Sequence, residues 1–313
     1  MSKGIYAQGL AVLLQQPVDL EEIARLLSAF HIIRRIESNA GRGWPISGPA
    51  LLIACPPGIN GQVTVDLVDR PWPDDMGEPQ KAPELFAAWS MGHFGPFTYP
   101  GGLERSLLQP WSWAEARQVA GPHGAFLRIR LTGAVRAADS HLRSANEAPL
   151  AELRFVTSVT QAILNHPRAL AYFDPNGEVL LPPTLVRESL AQAAEHGLAP
   201  FELWSGIRLY NVNQGWIVMD TVGNWQLDMP DHEAAFRGQS FQPPDVDRFL
   251  RNVSLYILEN GEVIKDKDTT DGPGGVRWRA RICEESLLKP PRRVYRWFPA
   301  NEPVVPAFLR PKS

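Results

Sequence analysis

Between Val276 and Cys283 the side chains alternate without a break: Val276, Trp278, Ala280 and Ile282 are apolar, while Arg277, Arg279 and Arg281 are cationic. A period of two is the pleat of a β-strand, and it obliges one face to be covered while the other meets water. Gly124 to Leu131 repeats the pattern, with Ala125, Leu127, Ile129 and Leu131 set against Phe126, Arg128 and Arg130. A chain carrying two such segments must build sheets and must supply other elements to cover their apolar faces.

Those elements are legible in the spacing. Asp19 to Glu22 opens a helix in which Leu20, Ile23, Leu26, Leu27 and Phe30 recur at helical intervals. Pro149 to Asn165 is apolar on more than one side, which predicts a helix lying centrally between layers. Further helices are expected from Thr184 to Gly197 and from Pro243 to Asn260, each stopped by glycine. Strands are expected over 5–15, 31–37, 50–55, 62–68, 169–173, 201–211, 215–221 and 294–298. The order strand, helix, strand, strand occurs in both halves. The predicted class is therefore α+β: two similar β-α-β-β units with mixed, largely antiparallel sheets and helices packed on them. Residues 1–120 would form an N-terminal half with an aromatic Gly/Pro-rich loop, and 121–313 a C-terminal half, as two domains or as one continuous domain.

Composition narrows the function classes. A net charge of -3 over 313 residues gives no global case for nucleic acid, so any basic recognition surface must be local. Cys55 and Cys283 lie in separate strand-like runs without a CxxC partner, which suits buried thiols in the reducing cytoplasm. No run reaches the roughly 18 apolar residues of a membrane helix, and no secretory leader pattern is read at the N-terminus. No cofactor is expected, since neither GxGxxG nor GxxxxGK[ST] occurs and Gly272 to Gly275 precedes a strand rather than a helix. There is no GxSxG elbow.

The series AYFDPNGEVL at 171–180, LWSGIRL at 203–209, MDTVGNWQLDMPDHEAAF at 219–236 and VDRFLRNVSLYILENGEVIKDKDTTDGPG at 246–274 resembles the bacterial family catalogued as domain of unknown function 4261. The likeness runs from about Gly9 and is strongest after Gly124. Its specific elements are the Thr221-x-Gly223 turn leading to an acidic cluster, and a late helix followed by an acidic, hydroxyl-rich loop and strand. Where relatives carry a glycine in that loop this chain has Lys267. The resemblance implies no activity, because the family has none established.

Three constellations could carry chemistry. Asp228, Asp231, His232 and Glu233 offer oxygen and nitrogen ligands to a divalent metal, but their crowding into six residues leaves convergence in doubt, and a helix start with Asp231 as N-cap competes with that reading. Asp266, Asp268 and Asp271 are spaced like a calcium loop but lack the glycine position and closing glutamate of an EF-hand, so a solvated turn is favoured. Arg277, Arg279 and Arg281 share one strand face, as do Arg128 and Arg130, and if the two strands are neighbours they present one cationic surface suited to carboxylates. Trp111 and Trp113 add groove-lining aromatics within 91–116, against the simpler reading that they anchor the loop to the core. The leading expectation is a non-catalytic binding protein of the bacterial cytoplasm, an accessory or immunity-type partner of a toxin or secretion system, engaging another protein through an acidic surface. The alternative is a metal-assisted hydrolase built on 228–233 with His93 or His123.

Overall fold

The structure is a computed structural model and describes residues 5–37, 44, 48–109, 113–133, 147–302 and 305–310. The chain divides into two compact units, Met1–Trp204 and Ser205–Ser313. The boundary expected at 120/121 falls inside the first unit, because the strand that follows it is hydrogen-bonded into the middle of the first sheet.

The first unit runs β1 (Tyr6–Leu14), α1 (Leu20–Leu26), β2 (Ile32–Ile36), β3 (Ala50–Ala54), β4 (Gly61–Val68), α2 (Pro83–Ser90), α3 (Gly102–Leu107), α4 (Ala116–Ala120), β5 (Ala125–Gly133), α5 (Glu147–Ile163), β6 (Ala169–Asp174), β7 (Val179–Leu181), α6 (Pro183–His196) and α7 (Phe201–Trp204). Its sheet has the order β2-β3-β4-β5-β1-β6-β7, with every pairing antiparallel. Asp19 caps α1 as its position suggests, accepting from the Glu21 backbone N–H at 2.9 Å. The central helix α5 packs on β1 and β5, burying Leu153, Val156, Val159 and Ile163. The strand expected over 201–211 begins five residues late: Phe201, Leu203 and Trp204 are buried as a helical turn, and only Gly206 onward extends.

The other face of this sheet, carrying Ala11, Leu13, Phe126, Ala171 and Phe173, lies under an aromatic layer from α2 to α4. Trp72 is its hub, with ring centroids 5.1 Å from each of Phe94, Phe126 and Phe173. Trp113 belongs to the same core and is buried, so it anchors the layer instead of lining a groove. Trp111 lies outside the described residues. The layer seats backbone on backbone: a Cβ at Gly9 in β1 would stand 2.9 Å from Gly95 Cα, and Gly95 itself holds φ at +130°. The Asn176 amide donates to the Gly9 carbonyl at 2.8 Å and fixes the approach.

The second unit runs β8 (Gly206–Asn211), β9 (Trp216–Val222), β10 (Asp231–Arg237), α8 (Pro243–Asn260), β11 (Thr269–Asp271), β12 (Arg277–Cys283) and β13 (Val294–Pro299). Its order is β11-β12-β13-β10-β9-β8, antiparallel except for the parallel pair β10 and β13. One face is covered by α8, where Phe249 lies 5.3 Å from Trp278 and 5.4 Å from Trp297 between ring centroids. The opposite face buries Trp216, Val218, Ala235, Phe298 and Leu309. The architecture is thus α+β, two mixed or antiparallel sheets with helices packed on them. Over 169–221, where the order strand, helix, strand, strand is expected, the structure has β6 and β7, then α6 and α7, then β8 and β9, with β6 and β7 in the first sheet and β8 and β9 in the second.

Replacing Gly9 by Ala should destabilise the protein by about 1–3 kcal/mol, because the added methyl meets backbone that cannot yield. Urea unfolding of the variant checks this through a lower midpoint at unchanged slope.

Candidate functional site

In the second sheet the register brings charge into line across five strands. Arg208 on β8 faces Asp220 on β9, Asp220 faces Glu233 on β10, Glu233 faces Arg296 on β13, and Arg296 faces Arg281 on β12. Because partners in register share a face, these five side chains form one row. Arg208 grips Asp220 in a fork, Nε to Oδ1 at 3.0 Å and Nη2 to Oδ2 at 2.5 Å. Arg292, from the segment leading into β13, donates to Asp220 Oδ2 at 2.7 Å and to Asp231 Oδ2 at 2.9 Å. Arg296 Nε donates to Glu233 Oε2 at 2.7 Å, and the Leu287 N–H donates to Oε1 of the same carboxylate at 2.6 Å. Thr221 and the Asn224 backbone N–H complete Asp231 at 2.9 and 3.1 Å. All except Arg281 are buried.

Electrostatics separates the three carboxylates. Burial pushes Asp220 up, yet Arg208 and Arg292 together outweigh it and hold the group below its ordinary range. For Asp231 burial wins over Arg292, and for Glu233 it wins over Arg296, so both are raised. Guanidinium forks of this kind specify which strand pairs with which; truncating one partner would leave a buried charge bare, at a cost of about 3–5 kcal/mol.

This geometry disposes of the expected metal cluster. Asp231 and Glu233 point to the charged row, whereas His232 lies on the other face, stacked 5.9 Å from Tyr295, with its Nδ1 accepting from Trp297 Nε1 at 3.4 Å. Asp228 is exposed in a left-handed turn with φ at +57°. The stretch 231–237 is a strand, not the helix start that Asp231 was expected to cap; Ala234, Ala235 and Phe236 are all fully buried, which suits a strand packed on both faces. Among the described residues no three His, Cys, Asp or Glu side chains are grouped to hold a metal. The histidines proposed to assist belong to the first unit and are engaged there. His123 Nε2 accepts from the Trp72 N–H at 2.7 Å and its Nδ1 donates to the Ala120 carbonyl at 2.8 Å, while His93 Nδ1 accepts from Arg130 at 3.0 Å.

The single cationic surface expected from the arginine trio and the arginine pair together is not formed. Arg128 and Arg130 stand on β5 of the first sheet, buried against Asp66; Arg277, Arg279 and Arg281 stand on β12 of the second. Phe126, Arg128 and Arg130 alternate like a wet face, but the aromatic layer covers them, and sequence periodicity cannot register a cover made from residues 72–120. On β12 the arginines do reach solvent. Arg281 pairs with Asp266 at 3.0 Å and Arg277 with Thr269 and Asp271, while Arg279 is exposed and makes no ion pair among the described residues. Asp268 accepts from the Lys265 N–H, and Lys267 holds φ at +74°, so the acidic loop is a turn closed on itself.

Residues 220–298 match the family model described as Domain of unknown function (DUF4261). Over this stretch the chain is similar to a domain family of unknown function. The resemblance is borne out there, and its wider extent from about Gly9 lies outside the match. No curated protein and no solved structure matches the chain. The DUF4261 segment begins on Asp220 and contains Asp231, Glu233, Arg292 and Arg296, so it carries nearly the whole charged network; Arg208 completes it from outside. Lys267 holds φ at +74°, a left-handed backbone that a glycine adopts without steric cost and a lysine does not.

Two measurements follow from these placements. Exchanging Lys267 for Gly should stabilise the protein by about 0.5–1 kcal/mol by relieving the left-handed backbone, read from the unfolding midpoint. Burial lowers the His232 pKa from 6.5 to about 3. The unfolded chain therefore takes up a proton below pH 6.5 that the native state refuses until about pH 3, so this group's contribution is intact above that window and declines as pH falls through it. Between pH 6.5 and 5 the wild type should lose up to about 1.4 kcal/mol more per pH unit than His232→Leu, as measured by urea unfolding at each pH.

Proposed function

We propose that this chain is a non-catalytic binding protein of the bacterial cytoplasm, engaging an acidic surface of another protein through the arginine face of β12. The observation that carries the reading is the contrast between the buried and exposed arginines of one sheet. Arg208, Arg292 and Arg296 are buried among carboxylates they match. The acidic partners of Arg277 and Arg281 are exposed, Arg277 donates to Thr269 as well, and Arg279 extends without an acidic partner among the described residues. Exposed pairs contribute little to stability, so a partner's carboxylates can replace Asp266 and Asp271 at small cost. Guanidinium forks two residues apart on a strand match carboxylates presented on a neighbouring extended or helical surface. Two free cysteines in separate units suit a reducing compartment. No helix among the described residues is long and apolar enough to cross a membrane.

The reading is tested by fluorescence anisotropy with a labelled oligo-glutamate peptide as the probe. Replacing Arg277, Arg279 and Arg281 together by Ser should weaken binding at least tenfold and flatten its dependence on salt, while the unfolding midpoint stays within a few tenths of a molar of urea. Equal binding by wild type and variant would remove this face from the proposal.

A further inference from the structure

Helix α6 commits little of its length to the core. Of its 14 residues only Val186 is buried; Leu190 and Ala193 in its second half stay partly exposed, and Leu198 just beyond it is 46 % exposed. A helix packed along its whole length would bury a continuous apolar stripe. Here a cleft of about 390 Å³ lies between that second half and α5, with Pro200 and Trp204 also lining it.

The two walls differ in chemistry. From α5 come Arg154, Thr157, Ser158 and Gln161, spaced three and four residues apart and therefore on one face. The hydroxyls are already engaged: Thr157 Oγ1 donates to the Leu153 carbonyl at 2.7 Å and accepts from Trp204 Nε1 at 2.9 Å, and Ser158 Oγ donates to the Phe155 carbonyl at 2.7 Å. Arg154 is exposed and makes no ion pair among the described residues. The facing wall is apolar, made of Leu190, Ala193 and Leu198. Gly197 ends the helix at φ +66°, and the Leu198 N–H donates to the Ala193 carbonyl at 2.9 Å, which fixes Leu198 beside the last turn. That wall is set before any ligand arrives. Among the described residues lining the cleft there is one charge, that of Arg154, and no carboxylate to match it.

We infer that this cleft binds a small amphipathic monocarboxylate, with its apolar body against Leu190, Ala193 and Leu198 and its carboxylate on the Arg154 guanidinium. The volume lies within the range of small-molecule sites, about 300–1,000 Å³. Each half of such a ligand answers one wall: the body takes Leu190 and Leu198 out of water, and the carboxylate supplies the counter-charge that the lining lacks. Every residue of the site belongs to the first unit, so it neither uses nor depends on the arginine face of β12.

The test titrates octanoate into the full chain by isothermal calorimetry, with octan-1-ol as the neutral control, and follows methyl-labelled leucines by NMR. Binding should saturate at a single octanoate per chain, with the largest methyl shifts on Leu190 and Leu198. Arg154→Gln should weaken octanoate about tenfold and leave octanol unchanged. Ala193→Trp, which fills the cleft from a partly exposed helix position, should remove the binding of both. Absence of octanoate binding overturns the inference, as do shifts centred on other leucines or binding that Ala193→Trp retains. Octanol binding as tightly as octanoate, or an Arg154→Gln variant that binds octanoate like the wild type, overturns the assignment of a carboxylate ligand. Should Ala193→Trp not fold, the methyl shifts and the Arg154→Gln comparison decide the matter alone.

Discussion

Arg292 donates to two carboxylates on two different strands, Asp220 of β9 and Asp231 of β10, and to the Thr221 carbonyl between them. Desolvation acts on both acids, and Arg292 opposes it at each, beside Arg208 at Asp220 and beside the Asn224 N–H and Thr221 hydroxyl at Asp231. The order of the second sheet follows from this arrangement. A strand slipped by one residue would send its own member of the row to the α8 face, among Phe249, Trp278 and Trp297, and leave its partners on the neighbouring strands uncompensated.

What was legible in the sequence was whatever repeats locally. The alternation at 276–283 and 124–131, the Asp19 cap, the Gly197 stop and the periodic face of α8 all declare themselves within a turn or two, and each is found in place. Long-range cover is not local, and there the sequence reading went astray. Arg128 and Arg130 look like a solvated face because the residues that bury them lie far away in sequence, among them His93 and Phe94. For the same reason the acidic run 228–233 looks like a ligand set until Arg292 and Arg296, some sixty residues on, claim its carboxylates. The sequence does carry a signal for this: Asp66 in VTVDLV and Asp220 in IVMDTV are single charges inside apolar strands, and such a charge demands a buried partner of opposite sign.

The interior and the surface of the second sheet use one residue type for two purposes, and exposure decides which. Arg296 and Arg281 stand opposite each other on adjacent strands, a like-charge pairing that would repel if both were left alone. Glu233 draws one inward and Asp266 draws the other toward solvent. The stripe on β12 is thus the outer end of a row whose inner members are fully matched. A partner can compete for the exposed end without disturbing the charges that define the fold.

The strand β13 sits between β12 and β10, although it follows both in the chain. During synthesis the sheet of this unit therefore exists first as two separate halves, each with an open edge, and the ribosome must deliver β13 before they can join. Arg292 and Arg296 arrive with that strand, so Asp231 and Glu233 stay hydrated until it docks. Closure, neutralisation and burial then fall in one event, with α8 waiting over an unfinished floor, and a nascent chain halted before Arg292 would show two unpaired edges to whatever chaperone or sister chain it meets.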